Sequence, residues 1–183
     1  MSELKQIYRY PVKGLAGNAL KSVDLAPGKP VPCDRLYALA LAETKFDSEA
    51  PSFLRKTHFL MLMRDEKLAA LCTEFNEDGH QFIISRENER LLDVSLKTKE
   101  GAAEIGAFFE SFMGGKLKGR PKLVTASGHM FADVPEQNLS LINLDTVRDI
   151  EEKTGLVIDP NRFRGNLLIE GIGAWKEFEL VGQ

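Results

Sequence analysis

Cysteine is scarce: Cys33 and Cys72 are the only two in 183 residues. That is too few for a disulfide framework in a chain of this size, and it fits a reducing compartment. Long apolar runs are also missing. The most apolar stretches, residues 37–42 and 59–63, fall far short of the roughly 20 residues of a membrane-spanning helix. The opening Met1-Ser2-Glu3-Leu4-Lys5 lacks the basic-then-apolar pattern of an export signal, so a cytoplasmic location and no membrane partner are expected. Positive charge is not in excess. A net charge of −3 argues against nucleic-acid binding while leaving room for a local basic pocket. The three histidines, His58, His80 and His129, are scattered, with no second ligand at metal spacing. His80 follows a turn and is expected to be exposed, which leaves His129 as the one to watch for a site role. No phosphate loop, dinucleotide fingerprint, Gly-x-Ser-x-Gly elbow or internal repeat is present.

What is present is a globular composition: 43% hydrophobic residues interrupted by 28% charged ones, enough to build a core and too mixed for a membrane protein. Alternation near period two dominates the first half. It predicts strands over 4–13, 19–25, 33–42, 59–64 and 67–75, then a hairpin of 81–85 with 90–96 around Glu87-Asn88. So many short strands in under a hundred residues indicate a barrel or closed sheet. Cys72 reads as a small buried residue of one of them. The period then changes. Ala102, Ile105, Phe108, Phe109 and Phe112 form one helical stripe ended by Gly114-Gly115, a core face with no functional signal. The basic, glycine-containing stretch 116–120 is the expected domain boundary. Beyond it, strands are expected at 121–126, 138–142, 165–169 and from Glu177. A helix carrying Val147 and Ile150 is capped by Asn143 or Asp145 and stopped by Gly155.

The sharpest chemical feature is Asp159-Pro160-Asn161-Arg162-Phe163-Arg164-Gly165-Asn166. In an extended segment its two arginines point the same way, and a guanidinium can grip a phosphate through two bonds. Gly165 would let backbone approach a ligand, and Asn166 adds a donor and an acceptor. The alternative is a surface turn of solvated arginines, one of them bonding Asp159. Lys13 and Arg35 fall at strand ends in the first half. Each read alone is a solvated charge, Arg35 pairing with Asp34. In a shared cleft they would join the arginines on one anion. Cys33, two residues before Arg35, sits where a cation would lower a thiol pKa.

Ile7-Tyr8-Arg9-Tyr10-Pro11-Val12-Lys13-Gly14 resembles the opening strand of the N-terminal β-barrel domain of the MOSC family. Asp34-Arg35-Leu36-Tyr37 is similar to that family's Asp-Arg strand opening, and the stretch from Phe59 to Leu71 to its next block. Asp133-Val134-Pro135, Ser140-Leu141-Ile142-Asn143-Leu144 and the 159–166 motif resemble the first part of the MOSC domain itself. In order, these matches run through nearly the whole chain. The resemblance implies an α+β, mostly β fold. A small N-terminal β-barrel-like domain (1–118) would be packed on a partial MOSC β-barrel with a few helices (119–183). It further implies a molybdenum cofactor (molybdopterin) held between them by Lys13, Arg35, Arg164 and Asn166. Where many members place a serine after the lysine, this chain has Gly14. The implied activity is reduction of N-hydroxylated compounds with an electron-donor protein, or sulfur carriage with a sulfur-donor protein.

The family's metal-ligating cysteine falls in strands after residues 175–181, and this chain reaches Gln183 without one. A soft molybdenum–sulfur centre needs a thiolate, so no metal ligand and no catalysis are expected of these residues alone. Three readings follow: a fragment of a longer chain, a shortened gene product, or a short protein that has lost the chemistry. A barrel lacking strands exposes edges, so either self-association or a poorly ordered C-terminal region is expected. The rival to the enzyme reading is a non-catalytic anion- or protein-binding module of the same fold.

Overall fold

A computed structural model describes residues 1–181. In chain order its strands and α-helices are β1 (Glu3–Arg9), β2 (Asn18–Leu20), β3 (Ala38–Ala40), β4 (Cys72–Asn76), β5 (Gln81–Arg86), β6 (Glu89–Ser95), α1 (Lys99–Met113), β7 (Lys122–Val124), β8 (Leu141–Asn143), α2 (Leu144–Thr154) and β9 (Leu167–Glu170). The class is α+β and mostly β, as expected. No helix among the described residues is long and apolar enough to cross a membrane.

Two compact units are interleaved along the chain. The first comprises Met1–Arg9, Ala19–Pro32 and the chain from Asn138 onward; the second comprises Tyr10–Asn18 and Cys33–Gln137. The first unit is a four-stranded sheet in the order β2-β1-β9-β8, with β1 antiparallel and β8 parallel to β9. The parallel pair requires a crossover, and α2 supplies it. Asn143 begins that helix by accepting the Asp145 N–H at 3.0 Å, and Gly155, at φ 70°, ends it in the left-handed conformation. Asp145 Oδ2 also accepts the N–H groups of Gly171 and Gly173, each at 2.8 Å. That ties the turn after β9 to the start of α2.

The second unit holds the larger core. α1 is capped by Thr98, whose Oγ1 accepts the Gly101 N–H at 3.0 Å. Ile105, Phe109 and Met113 recur every four residues on its buried face, against Phe82 and Ile84 of β5 and Val94 of β6. Phe108 and Phe112 lie beside that face and stack on each other 5.6 Å apart. The β5–β6 hairpin turns at Glu87-Asn88, both with positive φ, in agreement with the sequence reading.

The expected barrels do not close. Among the described residues the sheets are open, of four, two and three strands. The reason lies in backbone that alternation made look extended. Of residues 33–42 only β3 is strand, because Cys33 and Arg35 take φ 60° and 48° and turn the chain. The 59–71 block contributes a single bridge, Phe59 to Ala40, before a 3-10 helix at Glu66–Ala70. Lys176–Leu180 is likewise a 3-10 helix rather than the start of a strand. Cys72 faces outward and is exposed, because strand alternation buries its neighbour Thr73 instead.

Candidate functional site

In the second unit, residues 10–13 run alongside 35–37. Arg35 N–H donates to Tyr10 O (2.6 Å), Tyr37 N–H to Pro11 O (3.0 Å) and Lys13 N–H to Tyr37 O (2.8 Å). This short ladder places Lys13 and Arg35, which are 22 positions apart in sequence, on the same piece of structure. Gly14 turns the chain away at φ 81°. A Cβ there would lie 2.7 Å from Leu60 O, so the serine common in the MOSC resemblance has no room.

Lys13 is buried, its side chain only 6% exposed. Its ammonium donates to Phe131 O and Ala132 O, both at 3.0 Å, and to the Asp133 carboxylate. The Phe59 ring centroid is 5.9 Å from Nζ. Arg35 pairs with the fully buried Asp34 carboxylate, which also accepts the Tyr10 N–H at 2.7 Å, and its guanidinium lies 5.1 Å from the Tyr10 ring centroid. The two cations are joined by one segment: Phe131 N–H donates to Arg35 O (2.9 Å) while Phe131 O accepts from Lys13. Partial burial pushes the Asp133 carboxyl up. The hydrogen bond and charge of Lys13, then the charges of Lys56 and Arg35, outweigh that push and hold it below its ordinary value. The sequence alone places Asp133 in a motif without a role and gives no sign of Lys56.

Arg164 and Asn166 lie in the first unit. The 159–166 segment is not extended: Pro160–Phe163 form a 3-10 turn, and Arg164 follows at φ 56°. The two arginines therefore do not share one face of a strand. Asp159 serves the backbone, accepting the Asn161 N–H at 2.9 Å. Asn166 is fully buried. Its Oδ1 accepts Ser140 N–H (3.1 Å) and Ser140 Oγ–H (2.9 Å), its Nδ2 donates to Tyr8 O (3.1 Å), and its backbone O accepts Tyr8 N–H (2.7 Å). Gly165 permits a close approach, but the group that approaches is Ile142. A Cβ at 165 would overlap Ile142 Cγ1 and come within 3.0 Å of Cδ1. Gly165→Ala is therefore expected to lower stability by about 2 kcal/mol. Ile142→Ala added to it should cost less than the sum of the single effects, a coupling urea denaturation measures directly.

Sequence reasoning missed a cleft of about 540 Å³ in the second unit, lined by Tyr37, His80, Ser48, Glu49, Thr125 and Ser127 among others. The Tyr37 hydroxyl is 2.6 Å from His80 Nδ1. Burial first, and Cys33 second, push the Tyr37 pKa up to about 12, so the phenol keeps its proton near neutral pH. His80 is half-buried rather than exposed, at φ 52°, with its ring edge-on to Phe75 (5.3 Å) and Tyr37 (5.8 Å). The two residues are 43 positions apart, and no local pattern links them.

His129 packs edge-on to Phe131 (4.8 Å) and near Phe46 (5.8 Å), and burial lowers its pKa from the ordinary 6.5. The unfolded chain then binds the proton more readily than the folded one. The contribution of a neutral His129 is present above pH 6.5 and lost as pH falls through the folded value. Thermal melts across that window should show wild type losing more stability towards acid than His129→Phe.

Among the described residues no group of three or more His, Cys, Asp or Glu is placed to hold a metal ion. Set against known proteins, the chain matches no family model and no curated protein significantly.

Proposed function

We propose that this is a molybdenum-cofactor-binding protein of the MOSC type, working in the cytoplasm, in which Lys13 and Arg35 hold the phosphate end of the cofactor. The observation that carries the reading is the Lys13 ammonium bonded to the Asp133 carboxylate, with Arg35 tied to the same 131–133 segment through Phe131. A site that already binds a carboxylate with an ammonium, beside a second cation, fits a phosphate oxygen in donor chemistry and charge. The metal end has no matching donor set among the described residues.

When bound, the cofactor supplies either reduction of N-hydroxylated compounds, with an electron-donor protein, or sulfur carriage, with a sulfur-donor protein. The chain's own residues bind and orient. In the first unit Arg164 is the cation that the resemblance assigns to the cofactor, and Asn166 fixes the backbone beside it through Ser140 and Tyr8. Self-association would use the outer strands β2 and β8, three residues each. It predicts a dimer fraction that rises with concentration in sedimentation runs, and an unchanged monomer removes it.

A second reading has an observation of its own. The Asn166 amide and the Lys13 ammonium are both engaged inside the fold, which suits a non-catalytic anion- or protein-binding module. Purification from cells that make the cofactor, followed by assay of bound molybdenum and pterin, separates the two. Pterin carried by the wild type and lost in Arg35→Gln and Arg164→Gln supports the cofactor reading. Folded protein without pterin sinks it and leaves the module.

A further inference from the structure

The ion pair between Lys13 and Asp133 is lopsided: the lysine side chain is 6% exposed and the aspartate side chain 71%. The carboxylate thus caps a buried ammonium from the solvent side. Two backbone carbonyls, Phe131 O and Ala132 O at 3.0 Å, fix the ammonium, so that one of its donors is directed to where Asp133 sits. The second cation, Arg35, reaches this place through Phe131, whose N–H bonds its carbonyl. The third, Lys56, begins a turn in which Phe59 N–H donates to Lys56 O at 3.1 Å. The Phe59 ring then packs 5.6 Å from that of Phe131 and beside the Lys13 ammonium.

We infer that this seat is an exchange site for dianionic oxyanions of the phosphate type, and that Asp133 is the internal competitor that sets its selectivity. The inference rests on the phosphate reading given above. A carboxylate carries one charge. Asp34 already pairs with Arg35, and Asp133 faces the charge of Lys13 first, then those of Lys56 and Arg35. A tethered carboxylate holds its place against free monoanions because its effective concentration is on the order of millimolar or higher. A dianion gains about twice the Coulomb attraction from each cation and can displace it. Asp133 can leave without breaking a ladder, because residues 131–140 contain no strand or helix.

Titration with inorganic phosphate and with acetate, followed by calorimetry, tests the exchange. Asp133→Asn is expected to bind phosphate about tenfold tighter than wild type, the loss of one charge-assisted hydrogen bond's competition. Its preference for phosphate over acetate should fall as well. Asp133→Ser, which removes the charge and keeps a hydroxyl for Lys13, should act in the same direction. Lys56→Gln, at an exposed position, should weaken phosphate about threefold with an unchanged melting temperature. Equal phosphate affinity in wild type and both Asp133 variants, or an unchanged preference over acetate, overturns the competitor role and leaves the phosphate reading standing. No phosphate bound by any form overturns both.

Discussion

Asn166→Ala unfolds more easily than wild type by about 4 kcal/mol, the largest loss expected from any of the four residues assigned to the cofactor. The side chain closes three hydrogen bonds from a fully buried position: two from Ser140 and one to Tyr8 O. Truncation leaves the Ser140 N–H and the Tyr8 carbonyl without their partner, and each orphaned group costs about 1–3 kcal/mol, with a small cavity besides. For a chain of this size the melting temperature should drop by roughly 10 °C. Asn166→Asp is the informative companion. It keeps the acceptor for Ser140 but turns the donor that serves Tyr8 O into a second oxygen, so it should be no milder near neutral pH. Urea denaturation of both variants decides the matter. A loss under 1 kcal/mol in each would mean that the stitch between β1, β9 and Ser140 is not holding the first unit together.

Lys13→Met is expected to cost about 3 kcal/mol and to abolish phosphate binding together. Methionine fills much of the aliphatic stem's volume but offers no donor to Phe131 O and Ala132 O, whose residues are both buried. A pH series checks the cause. In the wild type the lowered Asp133 pKa means that the folded protein holds this proton less readily than the unfolded chain. Its share of stability is therefore present above the ordinary value of 3.8 and lost as pH falls through the folded one. Without Lys13 that acid limb should flatten. An unchanged acid limb would show that the ion pair contributes nothing to the fold, whatever it does for a ligand.

The site was only partly legible in the sequence. Lys13 and Arg35 could be singled out as cations at the ends of apolar alternation, and the structure does bring them together. What joins them was not legible: Phe131, Ala132 and Asp133 arrive from more than a hundred positions away from Lys13, a separation at which local pattern carries no information. The 159–166 motif was noticed for its arginines and glycine, yet its order comes from Asp159 capping its own turn and from Ile142 filling the space above Gly165. Tyr37, just before β3, and His80, just before β5, meet across 43 positions of sequence, a separation that no local pattern bridges.

The sequence by itself determined the local and periodic features. The stripe of Ile105 and Phe109 specifies α1, and Glu87-Asn88 specifies the β5–β6 turn. Gly155 and Asn143 set the ends of α2, and alternation near period two marks the strands of the β5–β6 hairpin. These depend on side-chain periodicity and on backbone angles that neighbouring residues decide. Only the tertiary structure determined that the sheets stay open among the described residues, that residues 33–35 turn instead of extending, and that Asn166 and Lys13 face inward. Those outcomes depend on which backbone groups find partners far along the chain, because a buried donor or acceptor must be matched wherever its partner lies.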